Sequence, residues 1–194
     1  MIKLYTALVF LPLLGAVLAG LFGRILGDRG SQAVTLIGIT TSALLSVYVF
    51  FDVTGNNNPV VVDLFTWIES DSFEVSWALR VDQLTAVMLM VVCVVSAVVH
   101  WYSVGYMSHD KAIPRFMSYL SLFTFAMLML VTADNFLQMF FGWEGVGLCS
   151  YLLIGFWYDR PSANAAAIKA FLVNRVGDFG FALGIMAIFF TFNS

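Results

Sequence analysis

Four ionisable side chains lie inside two long apolar stretches of this sequence. Glu144 lies within FFGWEGVGLCSYLLIGFWY (residues 140–158), and Lys169, Arg175 and Asp178 lie within the next apolar stretch. A charged side chain near the centre of a bilayer costs about 2.5–3.5 kcal/mol on insertion scales, so such residues are functional candidates. A buried carboxyl group beside a mobile Lys or Arg can take up and release a proton, because burial favours its neutral form and the cation its charged form. These four residues are therefore the predicted proton-translocation network.

Helical spacing indicates which of the four side chains can meet. Arg175 and Asp178 are three positions apart, so they can pair on one helix face, whereas Lys169 lies on nearly the opposite face from Asp178. Gly147 lies three positions after Glu144 and leaves open space beside the acid for water or another helix. Structural alternatives stay open: a glycine packing seam with Glu144 as a hydrogen-bonding group, a structural Arg175–Asp178 ion pair, and a Lys169 side chain that snorkels to the inner surface.

The composition places this chain in a membrane and excludes several classes of site. Of its 194 residues, 61% are hydrophobic and 11% are charged, whereas a soluble domain has about 25% charged residues. The net charge of −3 and the lack of a Lys/Arg cluster exclude a nucleic-acid partner. The sequence contains no Walker loop, GxGxxG, CxxC or haem-attachment motif, so no cofactor or metal site is expected in this chain. Cys93 and Cys149 are interpreted as packing residues in apolar runs.

The sequence gives weaker indications of a functional role for the two histidines. His100 is followed by Trp101 and Tyr102 near the expected inner end of a helix. An interfacial belt of aromatic residues accounts for all three, with a proton relay through His100 as the alternative. His109, in a polar loop, is interpreted as solvated. The other aromatic side chains are interpreted as packing or lipid-facing residues.

Six apolar stretches are close to the ~20 residues that a helix needs to cross ~30 Å of hydrocarbon. They lack strict alternation, and unpaired backbone groups are too costly in lipid, so they are predicted to be helices. The predicted fold class is an all-α polytopic membrane protein, with residues 1–194 forming one membrane domain. The six predicted helices are Ile2–Phe22, Ala33–Phe51, Gln83–Tyr106, Phe116–Val131, Phe136–Trp157 and Asn164–Phe192.

The segment 52–82, between the second and third helices, has a different character. It begins with the turn-forming GNNNP (residues 55–59), followed by two stretches rich in Val, Phe and Trp on either side of Ser70 and Asp71. This pattern predicts a β-hairpin outside the membrane.

The loop charges predict an orientation. The basic residues of the first, third and fifth loops are Arg24, Arg29, Lys111, Arg115 and Arg160. The second and fourth loops contain only Arg80, among acidic residues. Positively charged short loops face the cytoplasm or its topological equivalent. The N-terminus and the segment 52–82 are therefore predicted to face the outer, periplasmic or intermembrane side.

Two long motifs resemble those of a known family. They are FGWEGVGLCSYLLIGFWY (residues 141–158) and AAAIKAFLVNRVGDFGFALG (residues 165–184), and the runs TADNFLQMF (132–140) and RFMSYLSLF (115–123) fit as well. Over about residues 2–190 the chain resembles the antiporter-like membrane subunit of respiratory complex I, subunit L or chain 5 of NADH:ubiquinone oxidoreductase.

This resemblance implies a proton-pumping subunit that couples NADH oxidation and quinone reduction to proton translocation. It implies that Glu144 is the buried acid of a first half-channel, and that Lys169, Arg175 and Asp178 belong to the same network. FMN, iron–sulfur clusters and quinone are expected in other subunits. The expected partners are other membrane-arm subunits, including an adjacent antiporter-like subunit, together with lipid, water and protons. The expected location is a bacterial inner membrane or the mitochondrial inner membrane.

The chain departs from the family in its length. Family members are about three times as long, so the chain is expected to be an N-terminal fragment. The lysine that partners the matched glutamate in the family is expected on a later helix. Two other functions stay open: a subunit of a multi-subunit Na⁺ (cation)/proton antiporter, and a structural membrane scaffold whose charges form internal ion pairs.

Overall fold

The structure, a computed structural model, describes residues 2–56, 59–70 and 73–192. In this part of the chain it contains six helices and one two-stranded antiparallel sheet, in the order αα–ββ–αααα. The helices are α1 (Ile2–Leu21), α2 (Gly23–Asn56), α3 (Gln83–Tyr106), α4 (Ile113–Val131), α5 (Phe136–Ile154) and α6 (Pro161–Phe192), and the strands are β1 (Val60–Ser70) and β2 (Phe73–Val81).

The predicted fold class is confirmed, with differences at the helix ends. All six helices are long and apolar enough to cross a membrane. The main difference is in α2, which begins at Gly23 rather than at Ala33 and continues to Asn56 rather than ending at Phe51. Hydropathy detects the part of a helix that crosses hydrocarbon, and the polar first turns of α2 fall outside it. Gly27 interrupts these turns with φ +67° and ψ −176°, a backbone region that is essentially reserved for glycine.

The first four helices form a bundle around an apolar core. α1 packs against both α2 and α4, and α2 packs on α3. Leu8, Ile39, Leu89 and Leu128, one from each of these helices in turn, are at most 1% exposed. Because lipid is as apolar as these side chains, close van der Waals packing rather than removal from water holds the helices together.

Buried hydroxyl groups add interhelical hydrogen bonds to this core. The Ser42 hydroxyl of α2 donates to the carbonyl oxygen of Leu8 in α1 at 2.9 Å. The Ser118 hydroxyl of α4 donates to the carbonyl oxygen of Ala16 at 2.7 Å. Small hydroxyl residues allow membrane helices to approach closely and bond across the contact.

The β-hairpin is confirmed and is attached to the start of α5. Its strands pair antiparallel from Val60 opposite Val81 to Ser70 opposite Phe73. The side chain of Gln138 donates to the carbonyl oxygen of Ala78 at 2.7 Å and accepts from its N–H at 3.1 Å. A side-chain amide that satisfies both groups of one strand residue fixes the hairpin on the helix bundle.

The predicted bounds of this segment need a correction. Residues 52–56 belong to α2, so the hairpin proper begins at Val60. Two turns were predicted, at GNNNP and at Ser70–Asp71. Residues 57–58 of the first and Asp71 of the second lie outside the described residues, whereas Ser70 ends β1.

Asp82 connects the hairpin to α3 as the N-cap of that helix. Its carboxylate accepts a hydrogen bond from the Thr85 N–H at 2.9 Å and lies 3.8 Å from the Arg80 guanidinium. The hydrogen bond from the Thr85 N–H is the main reason that the pKa of Asp82 lies below its ordinary value. An N-cap of this kind contributes about 1 kcal/mol to helix stability.

A second group of polar contacts connects the loops at the opposite end of the bundle. The Asp110 carboxylate accepts from the Trp157 indole N–H at 2.9 Å and from the Ala112 N–H at 2.9 Å. The Trp157 hydrogen bond is the main cause that lowers the pKa of Asp110. Nearby, the Arg115 guanidinium donates to the carbonyl oxygen of Phe156 at 3.1 Å. The loop before α4 and the loop after α5 are thereby held together.

Candidate charged site between α5 and α6

Three of the four ionisable residues meet between α5 and α6. Arg175 Nη1 lies 2.9 Å from both carboxylate oxygens of Glu144, and 3.6 Å from Oδ2 of Asp178. The i,i+3 pairing of Arg175 with Asp178 that the spacing predicts is therefore present, and Glu144 joins it from the neighbouring helix. One guanidinium serves two carboxylates, which leaves a formal charge of −1 when both acids are ionised.

The two carboxylates have different surroundings. The Asp178 side chain is 8% exposed, whereas that of Glu144 is 27% exposed and that of Arg175 is 51% exposed. Asp178 therefore depends on protein partners, while Glu144 and Arg175 lie at an open edge of the site. A charge at membrane depth needs water or protein against it, so this edge cannot face lipid acyl chains.

Trp143 is a site residue that the sequence interpretation missed. Its indole N–H donates to Oδ1 of Asp178 at 2.8 Å. The ring packs edge-on against Phe181 of α6, with centroids 5.7 Å apart. The interpretation of Trp143 as a packing or lipid-facing residue is therefore incomplete. A signal was available, because an indole N–H inside an apolar span needs an acceptor and Trp143 directly precedes the acid Glu144.

The glycines around Glu144 have two roles. A Cβ at Gly142 would lie 2.6 Å from the backbone of Leu130 in α4, and one at Gly145 would lie 3.1 Å from the Ala126 side chain. These two glycines form a packing contact with α4, as the structural alternative expected.

Gly147 faces α6 instead, and the expected open space beside Glu144 is partly filled. A Cβ at Gly147 would lie 3.4 Å from the side-chain amide nitrogen of Asn174. Asn174 directly precedes Arg175 in the sequence. Its side-chain amide is therefore a second polar group of α6 near the site. The spacing rule located Gly147 beside the acid but could not show which neighbouring helix occupied the gap.

Lys169 is not brought to the other three residues. It is exposed on α6, and the ion pairs among the described residues do not include it. Nine residues separate it from Asp178, which corresponds to about 13 Å along a helix at ~1.5 Å per residue. Its place in the network stays a prediction.

His100 has a different environment from the one its sequence neighbours predict. Its side chain is fully buried between α3 and α4, whereas Trp101 and Tyr102 are exposed. The interfacial interpretation is therefore wrong for His100. The helix turns by about 100° per residue, so His100 faces the bundle while the next two residues face outward.

The imidazole of His100 is held by hydroxyl and carbonyl groups. Nδ1 lies 2.8 Å from the carbonyl oxygen of Ser96, and Nε2 lies 3.1 Å from the Ser121 hydroxyl. A carbonyl oxygen only accepts, so Nδ1 carries a proton, and in the neutral ring Nε2 accepts from the Ser121 hydroxyl. The Ser96 hydroxyl also lies 2.5 Å from that of Thr124. The cluster joins α3 to α4, and none of its named partners is charged.

No group of three or more His, Cys, Asp or Glu side chains within the described ranges could hold a metal ion. Cys93 and Cys149 are both free and buried, in agreement with packing roles.

Two sequence families match this chain. Residues 67–117 match a family described as NADH-ubiquinone oxidoreductase (complex I), chain 5 N-terminus, and residues 133–194 match one described as NADH:quinone oxidoreductase/Mrp antiporter, transmembrane. The second match includes Trp143, Glu144, Arg175 and Asp178.

Curated relatives are similar along nearly the whole chain. NADH-ubiquinone oxidoreductase chain 5 of Arabidopsis thaliana is 54% identical over 191 residues, which cover 98% of this chain and 29% of the relative. NADH-quinone oxidoreductase subunit L of Rickettsia bellii is 54% identical over 183 residues, which cover 94% of this chain and 28% of the relative. The chain thus spans less than a third of the length of these relatives.

One solved structure has the same fold at low sequence identity. It is a chain of the membrane-bound sulfane sulfur reductase, an archaeal respiratory membrane complex, with a TM-score of 0.82 and 17% identity. The match covers 95% of this chain and 37% of the archaeal chain. At this identity the similarity supports the fold alone.

Proposed function

Because this chain belongs to the family of NADH-ubiquinone oxidoreductase chain 5 and NADH-quinone oxidoreductase subunit L, we propose that it forms part of a proton-translocating subunit in the membrane arm of such a complex. NADH oxidation and quinone reduction take place in other subunits, which hold FMN, the iron–sulfur clusters and quinone. This chain contributes the charged groups through which a proton moves.

The observation that carries this proposal is the position of Arg175 between two carboxylates on different helices. Arg175 Nη1 contacts both oxygens of Glu144 and lies 3.6 Å from Asp178. Protonation of Glu144 removes the charge that holds the guanidinium, so Arg175 moves toward Asp178. Loss of the proton restores the first arrangement. Glu144 thus changes its charge while the guanidinium moves only a short distance.

Asp178 acts in this scheme as the fixed acceptor for the displaced guanidinium. Its carboxylate is buried and bonded to the Trp143 indole, so it does not need to move. Glu144 and Arg175 lie at the more exposed edge of the site, where water can deliver and remove a proton. Chains of acidic and basic side chains linked by water are the usual proton paths through membrane pumps.

Lys169 belongs to the proposed network at a separate position. It is exposed on α6, on the N-terminal side of the Arg175–Asp178 pair. We propose that it exchanges protons between the site and the inner aqueous phase. The Lys169→Gln variant, measured beside the Glu144 variant described below, tests that role separately.

We further propose that residues 1–194 act as one membrane domain, with the N-terminus and the segment 52–82 on the outer side. The basic residues at the end opposite the hairpin support this orientation. The host membrane is then a bacterial inner membrane or the mitochondrial inner membrane. The proposed partners are other membrane-arm subunits, including an adjacent antiporter-like subunit.

The first test is Glu144→Gln in the full-length subunit within its assembled complex. Glutamine keeps the shape of the side chain but neither changes charge nor holds Arg175 as an ion. We expect proton uptake into sealed vesicles and coupled quinone reductase activity to fall at least about tenfold, which corresponds to ~1.4 kcal/mol in a barrier. The complex yield should be unchanged.

The matched control is Glu74→Gln, an exposed glutamate of the hairpin, which should pump normally. If Glu144→Gln pumps normally per assembled complex while the yield falls, the acid is a packing device and the chain has the structural-scaffold function instead.

A second candidate function is a subunit of a multi-subunit Na⁺/H⁺ antiporter. The description of the family that matches residues 133–194 names the Mrp antiporter as well. Sodium flux in the same vesicles, driven by a pH gradient without NADH, separates the two. Sodium exchange that Glu144→Gln abolishes would favour the antiporter, whereas NADH-dependent proton uptake without sodium flux favours the respiratory complex.

A further inference from the structure

A large open cavity lies at the end of the bundle opposite the hairpin. It has a volume of about 720 Å³ and lies between the end of α1, the start of α2 and the start of α4. It is separate from the charged site, because none of its lining residues belongs to α5 or α6.

The cavity lining is basic. Arg24, Lys111 and Arg115 line it, against a single carboxylate, that of Asp28. Arg24 and Lys111 are exposed, and the ion pairs of the described chain do not include Arg24, Lys111 or Asp28. The lining residues therefore carry three cations and one acid, a formal charge of +2, and the Asp110 carboxylate interacts with Arg115 beside them.

Arg115 lines the cavity and is held in place by the residues that follow α5. Its guanidinium is positioned by the carbonyl oxygen of Phe156 at 3.1 Å and by the rings of Phe156 and Tyr158, at 4.8 and 5.0 Å from their centroids. Its Nε is buried and has no hydrogen-bond partner.

One residue of the cavity lining has an unusual backbone conformation. Gly27 lines it with the φ of +67° that separates the first turns of α2 from the rest of that helix. This break places Arg24 and Asp28 on opposite sides of the bend. Glycine adopts this backbone conformation readily because it has no Cβ.

The junction of α1 and α2, which contributes lining residues to the cavity, also has exposed apolar side chains. Leu21, Phe22 and Ile25, which surround Arg24 in sequence, are 76%, 47% and 83% exposed. Basic groups next to an exposed apolar corner match the two parts of a phospholipid, a charged headgroup and acyl chains. A free anion would use only the basic groups.

We propose that this cavity binds the phosphate of an anionic phospholipid, with Arg24, Lys111 and Arg115 around the headgroup and the acyl chains against Leu21 and Ile25. Basic pockets between membrane helices are suited to such headgroups. The carboxylate of Asp28 repels an anion, so the bound phosphate lies closer to the three basic side chains than to Asp28. This site is independent of the proton-translocation proposal.

The test uses the assembled complex with the full-length subunit, reconstituted with trace photoreactive phosphatidylglycerol in phosphatidylcholine vesicles. Crosslinked peptides are mapped by mass spectrometry. We expect labelling in residues 14–28 and 111–119, and little labelling there with photoreactive phosphatidylcholine. Each basic side chain near a headgroup contributes a factor of about five in affinity, so Arg24→Gln with Lys111→Gln should reduce the labelling about 25-fold.

Arg29→Gln is the matched control, because Arg29 belongs to the same polar turns but does not line the cavity. It should leave the labelling unchanged. Equal labelling by both lipids, or labelling that survives the double variant, would overturn the proposal. Excess inorganic phosphate that abolishes the labelling would also overturn it, since the site would then recognise a free anion rather than a lipid.

Discussion

At the scale of single residues, the indole of Trp143 is a neutral hydrogen-bond donor to the buried carboxyl group of Asp178. A buried carboxylate needs hydrogen bonds as well as a counter-ion. Asp178 receives one from Trp143 at 2.8 Å and shares Arg175 with Glu144. The way Arg175 is shared between Glu144 and Asp178 therefore depends on a neutral N–H donor, which a search for charged residues in the sequence does not detect.

Trp143→Phe should shift this balance. Phenylalanine keeps the ring contact with Phe181 but removes the N–H, and a hydrogen bond to a charged group contributes about 1.5–3 kcal/mol. Asp178 then draws Arg175 away from Glu144. We expect proton uptake per complex to fall about tenfold or more, with a smaller loss in yield.

Trp101→Phe is the control for this prediction, because the Trp101 indole donates to a neutral hydroxyl, that of Thr40, at 3.2 Å. It should leave pumping unchanged. Equal effects of the two substitutions would show that Trp143 acts by packing alone.

At the scale of helices, the contact between α4 and α5 depends on a glycine. A Cβ at Gly142 would lie 2.6 Å from the Leu130 backbone, which cannot move aside as the end of a side chain could. This contact sets the position of α5, and thereby that of Glu144 two residues later.

Gly142→Ala should force α4 and α5 apart. Overpacking in a close-packed region costs about 1–3 kcal/mol, so we expect a lower thermal stability and a lower yield of the complex. Gly105→Ala is the control, because open space surrounds Gly105 and alanine is the better helix former by about 1 kcal/mol. If both variants had the same stability as the original protein, α5 would not depend on close approach to α4.

The elements also show what the sequence could predict about the fold. Long apolar runs predicted six spans because lipid permits few alternatives for the backbone. The hairpin was predicted from β-branched and aromatic residues around turn signals. The start of α2 could not be predicted, because its first turns carry Arg24, Asp28 and Arg29 and resemble a loop in hydropathy.

The site was predictable only in part for a geometric reason. Spacing within one helix predicts the Arg175–Asp178 pair, since residues three apart share a face. The contact of Arg175 with Glu144 depends on the relative rotation of two helices, which no single-helix pattern contains. The same limit applies to His100, whose burial depends on where α4 lies relative to α3.

At the scale of the whole molecule, polar contacts between loops hold both ends of the bundle. The hairpin is attached at one end through Gln138. The Asp110–Trp157 hydrogen bond joins two loops at the other end. Asp110 lies outside the spans, so its contribution follows the pH of the surrounding water.

This contact should make stability depend on acid. The folded pKa of Asp110 is lowered, so its contribution is fully present above the unfolded value of about 3.9 and is lost as the pH falls through the lower folded value. Asp110→Asn should lower the melting temperature of the complex at pH 7 by an amount that corresponds to about 0.5–1.5 kcal/mol. The difference should shrink below about pH 4.

A difference between the Asp110→Asn and original complexes that stays constant down to pH 3 would show that the charge of Asp110 does not stabilise the loops. Asp63→Asn, at an exposed position of the hairpin, is the control and should give no difference at either pH.

The sharing of Arg175 also has a mechanical consequence. Arg175 and Asp178 lie on α6 and move together, whereas Glu144 belongs to α5. Any twist of α6 about its own axis therefore alters the distance from the guanidinium to Glu144 while leaving the distance to Asp178 nearly constant. The site thus converts a rotation of one helix into a change of charge pairing, and by reciprocity a proton arriving at Glu144 exerts a torque on α6.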